Sequence, residues 1–166
     1  ATADSLISEL YDASGQALGL EPDDVIKING AIGGTNIAPL DVTYEATDPL
    51  DETSISTLGE LVVRIQEAFR FPQTDGTIYD NPSVSINSAN TDDDRIPDGS
   101  IVIRGQPERA FGITALSIQA ANSNNQSPAP TRFNANLGFT EIQAARDTGS
   151  HSTSLVVYDE SGDAHT

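Results

Sequence analysis

The sequence predicts a mainly β fold. Antiparallel sheets form a sandwich or a barrel-like closure, with one amphipathic α-helix over about residues 57–70. Three observations predict it. Short runs of alternating apolar and polar residues recur along the chain, which is the period of a half-buried strand. Turn formers separate these runs: 13 Gly and 9 Pro occur among 166 residues, with Ser, Thr, Asn and Asp in abundance. One stretch carries apolar residues at helical spacing.

Taken in order, Asp12-Ala13-Ser14-Gly15 has the chemistry of a turn, and Leu18 and Leu20 return on one face. Residues 25–29 alternate and place Ile26 and Ile28 together. Gly30, Gly33 and Gly34 then allow the chain to reverse. Leu40, Val42 and Tyr44 share a face opposite Asp41, Thr43 and Glu45, and this second strand is expected to pair antiparallel with the first around a long Gly-rich loop. Thr57 followed three residues later by Glu60 is a capping box. Leu58, Leu61, Val62, Ile65 and Phe69 make the helical stripe, and Pro72 is expected to end it.

Further strands are expected at 77–79, at 83–88 with Val84 and Ile86 inward, at 101–104 and at 111–119. A short strand candidate covers 133–140. Residues 121–131 are polar and Pro-containing, a loop or linker. This divides the chain into a β-rich unit with the helix at 1–120 and an extended β segment at 132–166, which either stands apart or packs on the first. At the end, 152–158 alternate, Asp159-Glu160-Ser161-Gly162 reads as a turn, and 163–166 begin a returning strand. A hairpin that stops so soon after its turn points to a piece of something longer. YDASGQALG at 11–19 echoes YDESGDAHT at 158–166, and two β-turns with the same Asp, Ser and Gly chemistry account for the echo.

A formal charge of −17, from 25 acidic against 8 basic residues, disfavours nucleic acid and anionic membranes as partners. Lys27 is the single lysine and the seven Arg are dispersed. The same charge keeps the molecule soluble and discourages nonspecific association. With no Cys, disulfides and thiolate metal sites are excluded. No apolar run approaches the ~20 residues of a membrane span.

The candidates for chemistry each fall short. Asn90, Asp92 and Asp94 alternate in an acidic loop at 90–99, as calcium ligands do, but Arg95 stands where that pattern needs Gly and Ile101 where it needs Glu. His151 and His165 are the only histidines. Serines surround His151, yet strand alternation sends sequence neighbours to opposite faces. Carboxylate pairs such as Asp23/Asp24 and Asp51/Glu52 arise by chance among so many acids. Gly30-x-x-Gly33-Gly34 lacks the Lys-Ser/Thr ending of a phosphate loop and continues into a strand. Asn125-Gln126-Ser127 fits a glycosylation acceptor in an Asn-rich loop. No catalytic, metal or cofactor-binding residue is assigned, and the expectation is a non-enzyme.

The run STSLVVYDESGDAHT at 152–166 resembles a segment of bacterial flagellar hook proteins, in which T-S-L-x-V-Y-D-x-x-G-x-A-H-T begins a β domain. Leu155, Val157, Tyr158, Asp159, Gly162, Ala164, His165 and Thr166 carry the match. LYDASGQALGL at 10–20, DDVIKINGAIGG at 23–34 and STLGELVVRIQEAF at 56–69 are also similar to hook sequences. The resemblance implies an outer β portion of the subunit of the extracellular helical tube that joins motor to filament. That tube bends while transmitting torque. It further implies export through the flagellar secretion channel, and other copies of the chain as partners. The long apolar-heptad helices that such proteins carry at both termini, expected to drive polymerisation, do not occur here, so this chain alone is expected to be monomeric in dilute solution. Two other readings stand beside it: an outer domain of another filament subunit or an adhesin, and an acidic secreted hydrolase.

Overall fold

The computed structural model describes residues 1–12, 14–46, 53–71, 82–87, 96–106, 110–122, 131–142 and 144, together with the backbone of 157–158 and 164–165. A 3-10 turn at Ile7–Glu9 comes first. It is followed by β1 (Val25–Ile32), β2 (Thr35–Asn36), β3 (Leu40–Tyr44), β4 (Ser54–Ile55) and helix α1 (Leu58–Ala68). Then come β5 (Ser83–Ile86), β6 (Ile101–Arg104), β7 (Ile113–Ala121), a short helix α2 (Thr131–Asn136), β8 (Val157–Tyr158) and β9 (Ala164–His165). The fold is mainly β, and its sheets do not close into a barrel.

β1 is the centre of the main sheet. It pairs antiparallel with β7 on one side and with β3 and β2 on the other, and β4 adds parallel to β3. The expected pairing of the two alternating runs is present, with Ile26 opposite Val42 and Ile28 opposite Leu40. The glycines between them divide their roles. Gly33 and Gly34 form a two-residue hairpin turn between β1 and β2, both at positive φ, as a type I′ turn requires. Gly30 does not reverse the chain. It lies within β1, where an added Cβ would stand 2.5 Å from Phe69 Cζ, so the missing side chain is what lets the helix approach the sheet.

Alternation sends Ile26, Ile28, Val42, Tyr44, Ile118 and Ala120 to one face of this sheet. There they share the buried core with Leu58, Leu61 and Ile65 of α1 and with Phe69 at its C-terminal cap. Each large side chain removed from water contributes roughly 1.5–3 kcal/mol, so this layer is the main stabilising contact. Leu18 and Leu20 join it as expected, and so does Val84 of the β5–β6 ribbon.

Helix α1 starts as its sequence specifies. Thr57 Oγ1 accepts from Glu60 N–H at 3.2 Å, and Glu60 Oε2 accepts from Thr57 N–H at 2.9 Å. The N-terminal segment completes the cap, with Leu58 N–H donating to Ser5 O at 2.9 Å and Gly59 N–H to Ala3 O at 2.8 Å. With Leu61 N–H bonded to Thr57 O, the first-turn donors that a helix leaves unpaired are all satisfied. The end differs from expectation. α1 stops at Ala68, before Pro72, because Arg70 adopts a left-handed φ of 53°. Arg70 N–H bonds Glu67 O at 2.9 Å and Phe71 N–H bonds Gln66 O at 3.0 Å, a Schellman closure with Arg where Gly is usual.

Two more expectations change. The strand expected at 111–119 runs two residues later, as β7. The strand expected at 133–140 is replaced by α2, because Phe133 is 1% exposed in the core and Leu137 N–H reaches back to Phe133 O at 3.0 Å. An apolar pair four apart suits a helical turn. Asn134 adds a second reason. Its amide accepts from Ala120 N–H at 2.7 Å and donates to Ala120 O at 3.0 Å, imitating a neighbouring strand at the edge of β7. In the final hairpin, Val157 pairs with His165 and Tyr158 with Ala164. The expected strand at 77–79 and the linker residues 123–130 lie outside the described residues.

Candidate functional site

Asn90, Asp92, Asp94, His151, Asp51, Glu52 and Asn125 lie outside the described residues. Among the described residues no three His, Asp or Glu side chains come together in a way that would hold a metal ion. Asp24 is buried, and its Oδ2 accepts from Glu21 N–H at 2.9 Å. Asp23 N–H donates to Tyr44 O, and Asp24 O accepts from Tyr44 N–H. The Asp23/Asp24 pair is therefore a staple at the start of β1, with its buried carboxylate committed to backbone, and not an acid–base couple.

Among the described residues two carboxylates are shifted, and both shifts have structural causes. Asp12 lies below the ordinary Asp range because the Ser14 hydroxyl donates to it at 2.6 Å, joined by Gln16 N–H at 2.9 Å. It organises the turn before the Tyr11–Ala17 bridge, where Gly15 takes a φ of 76°. At Glu60, partial burial pushes the carboxyl up. The N–H groups of Ser56 and Thr57, with the hydroxyls of both residues, together outweigh burial and hold it below the ordinary Glu range. These groups serve a turn and a helix cap.

Among the described residues, Asn87 is the one buried polar side chain with an orphaned atom. Its Nδ2 donates to Ile96 O at 2.6 Å and its Oδ1 is buried without a hydrogen-bond partner. It ties the loop between β5 and β6 together, with Asn87 N–H bonded to Ser100 O and Gly99 N–H to Asn87 O. A single carbonyl oxygen is not a coordination set for a hard cation, which takes six or more oxygens.

The outer face of the main sheet offers a different kind of feature. A shallow groove of about 310 Å³ runs along β1 and β7, lined by Asn29, Gly30, Asn36, Ile37, Pro39 and residues 115–117. Asn29 stands opposite Ser117 across the β1–β7 ladder. Every lining residue comes from one of two stretches without Asp, Glu, Lys, Arg or His, namely 28–40 and 110–131. Among the described residues the groove supplies amide and hydroxyl hydrogen bonding and carries no titratable side chain, so it suits contact with a neutral surface. The signal for it in the sequence is the length of the uncharged run at 110–131, in a chain where charged residues make up 20%.

No family model, curated protein or solved structure matches the chain. Among the described residues no helix is long and apolar enough to cross a membrane.

Proposed function

We propose that this chain is a structural module of the bacterial flagellar hook, the extracellular tube that joins motor to filament as a flexible, torque-transmitting joint. The observation that carries this reading is the hook-like run Leu155–Thr166, with the similar segments at 10–20, 23–34 and 56–69. The mainly β fold, and the pairing of Val157 with His165 inside that run, support it. So does the use of the shifted carboxylates, which cap a helix and organise a turn. In such a module the working parts are surfaces. Subunits in a bending tube must slide, and many small polar contacts rearrange at lower cost than one large apolar interface. The neutral hydrogen-bonding groove is a surface of that kind.

Immunogold labelling tests the reading. Antibodies raised against this chain are expected to decorate the short curved tube at the base of flagella on cells of the source organism. Decoration of the filament alone would transfer the assignment to another filament subunit. Reproducible turnover of polysaccharide, ester or peptide by the purified chain, abolished by one carboxylate substitution, would replace the structural reading with the hydrolase.

A further inference from the structure

We propose that residues 1–5 form a strap that lifts off helix α1 as one piece, pivoting at Leu6 and Ile7, and that its seat couples the start of the helix to the loop between β5 and β6. The strap is stiff in itself. Ser5 N–H donates to Thr2 O at 3.1 Å and Thr2 N–H to Ser5 Oγ at 2.9 Å, so a closed turn travels with it. The pivot is anchored. Ile7 is 1% exposed in the core, its N–H donates to Ser56 O at 2.9 Å, and Leu6 bridges to Thr57. Beyond the pivot no apolar side chain holds the strap down, since residues 1–4 are exposed and Ser5 is half-buried. Among the described residues its hydrogen bonds to α1 are two, from Leu58 N–H to Ser5 O and from Gly59 N–H to Ala3 O.

The helix is shaped to receive it. Gly59 stands in the first turn of α1, where Gly weakens a helix relative to Ala. A Cβ there would lie 2.9 Å from Ala3 O and 3.1 Å from Ala3 Cβ, so the missing side chain makes the strap's seat. A second seat lies far along the chain. A Cβ at Gly99 would collide with Ala1 N. Gly99 N–H in turn donates to Asn87 O, just after β5. The closed strap thus packs on α1 and on the β5–β6 loop at once.

Local opening follows the weakest contacts. Lifting the strap breaks two backbone bonds and bares the N–H groups of Leu58 and Gly59. It leaves the Thr57–Glu60 capping box and the buried Ile7 in place. The open state is a minor population of the folded protein. A pull on residues 1–5, or a partner that engages them, is then felt at α1 and at the β5–β6 loop while the core stays shut. The strap rests only on contacts within the chain and stands apart from the hook reading.

Native-state hydrogen exchange tests it. In wild type the amides of Leu58 and Gly59 should share one protection on the order of 10–100-fold, since two exposed bonds close over them. Low urea should leave that protection unchanged, because the opening exposes little surface. The amides of Ile26 and Ile28, inside the sheet, should be protected at least about 10³-fold and should lose protection as urea rises. Gly59→Leu fills the seat with a good helix former. The amides at 58 and 59 should then lose at least about tenfold in protection, and Gly99 should lose protection with them. Ser56 and Thr57, whose N–H groups the Glu60 carboxylate holds, should keep theirs. Coupling is reciprocal, so Gly99→Ala should speed exchange at Leu58 and Gly59. Leu58 and Gly59 exchanging only with Ile28, through global unfolding, would overturn the proposal, and so would no protection at all. So would either substitution leaving the other seat unchanged.

Discussion

The two faces of the main sheet are built from the same strands and do opposite work. On the inner face, Ile26, Ile28, Val42, Tyr44, Ile118 and Ala120 are buried beneath α1. On the outer face the same strands present Lys27, Asn29, Asp41, Ser117 and Gln119. One residue of register separates the two sets, because side chains alternate along a strand. Stability is thereby concentrated on one face, and the other is free to vary in charge and hydrogen bonding without threatening the fold. A module that meets other molecules benefits from that separation.

The largest effect should come from the inner face. Ile28 is 0% exposed, and Ile28→Ala is expected to lower the unfolding free energy by about 2–5 kcal/mol. Urea titration checks it. A loss under 1 kcal/mol would mean that the inner face is not the stabilising layer. A smaller effect belongs to the cap that aims α1 at that face. Glu60→Ala should cost about 1 kcal/mol. The Glu60 carboxyl is held below its ordinary range, so its contribution is present above the unfolded value of about 4.3 and is lost as pH falls through the folded value. Asp12 acts in the same direction. Thermal melts should therefore fall as pH drops below about 4, and the fall should be shallower in Glu60→Ala.

A stabilising change is expected at the other end of the helix. Arg70 is held at a φ of 53°, a conformation Gly adopts without strain. Arg70→Gly should raise stability by about 0.5–1 kcal/mol, measured by the same titration. Lys27→Gln on the outer face should change it least, by under about 0.5 kcal/mol. If Lys27→Gln approached the effect of Ile28→Ala, the division of labour between the faces would be wrong.

Much of this was legible in the residues themselves. The capping box at Thr57 and Glu60, the stripe from Leu58 to Phe69, and the alternation at 25–29 and 40–44 are local signals, set by caps and by the period of each element. The Asp12 turn is equally local, since its partners Ser14 and Gln16 lie within four residues. Other features were hidden because their partners are distant in sequence. Gly30 reads as a turn former until Phe69 is packed against it. Phe133 reads as a strand residue until it finds the core beside β7. Asn134 reads as part of the same strand candidate until its amide closes on Ala120.

The sequence by itself determined that strands and one capped helix form, where their apolar faces lie, and that the chain carries a large negative charge broken by long neutral runs. Only the tertiary structure decided that β1 takes the centre of the sheet, with β7 on one side and β3 and β2 on the other, and that Asn134 of α2 closes on the backbone of β7. The physical reason is range. Propensity, capping and periodicity act over a few residues. Which strand lies outermost is settled by how distant segments share one buried face, and that appears only once the chain is folded.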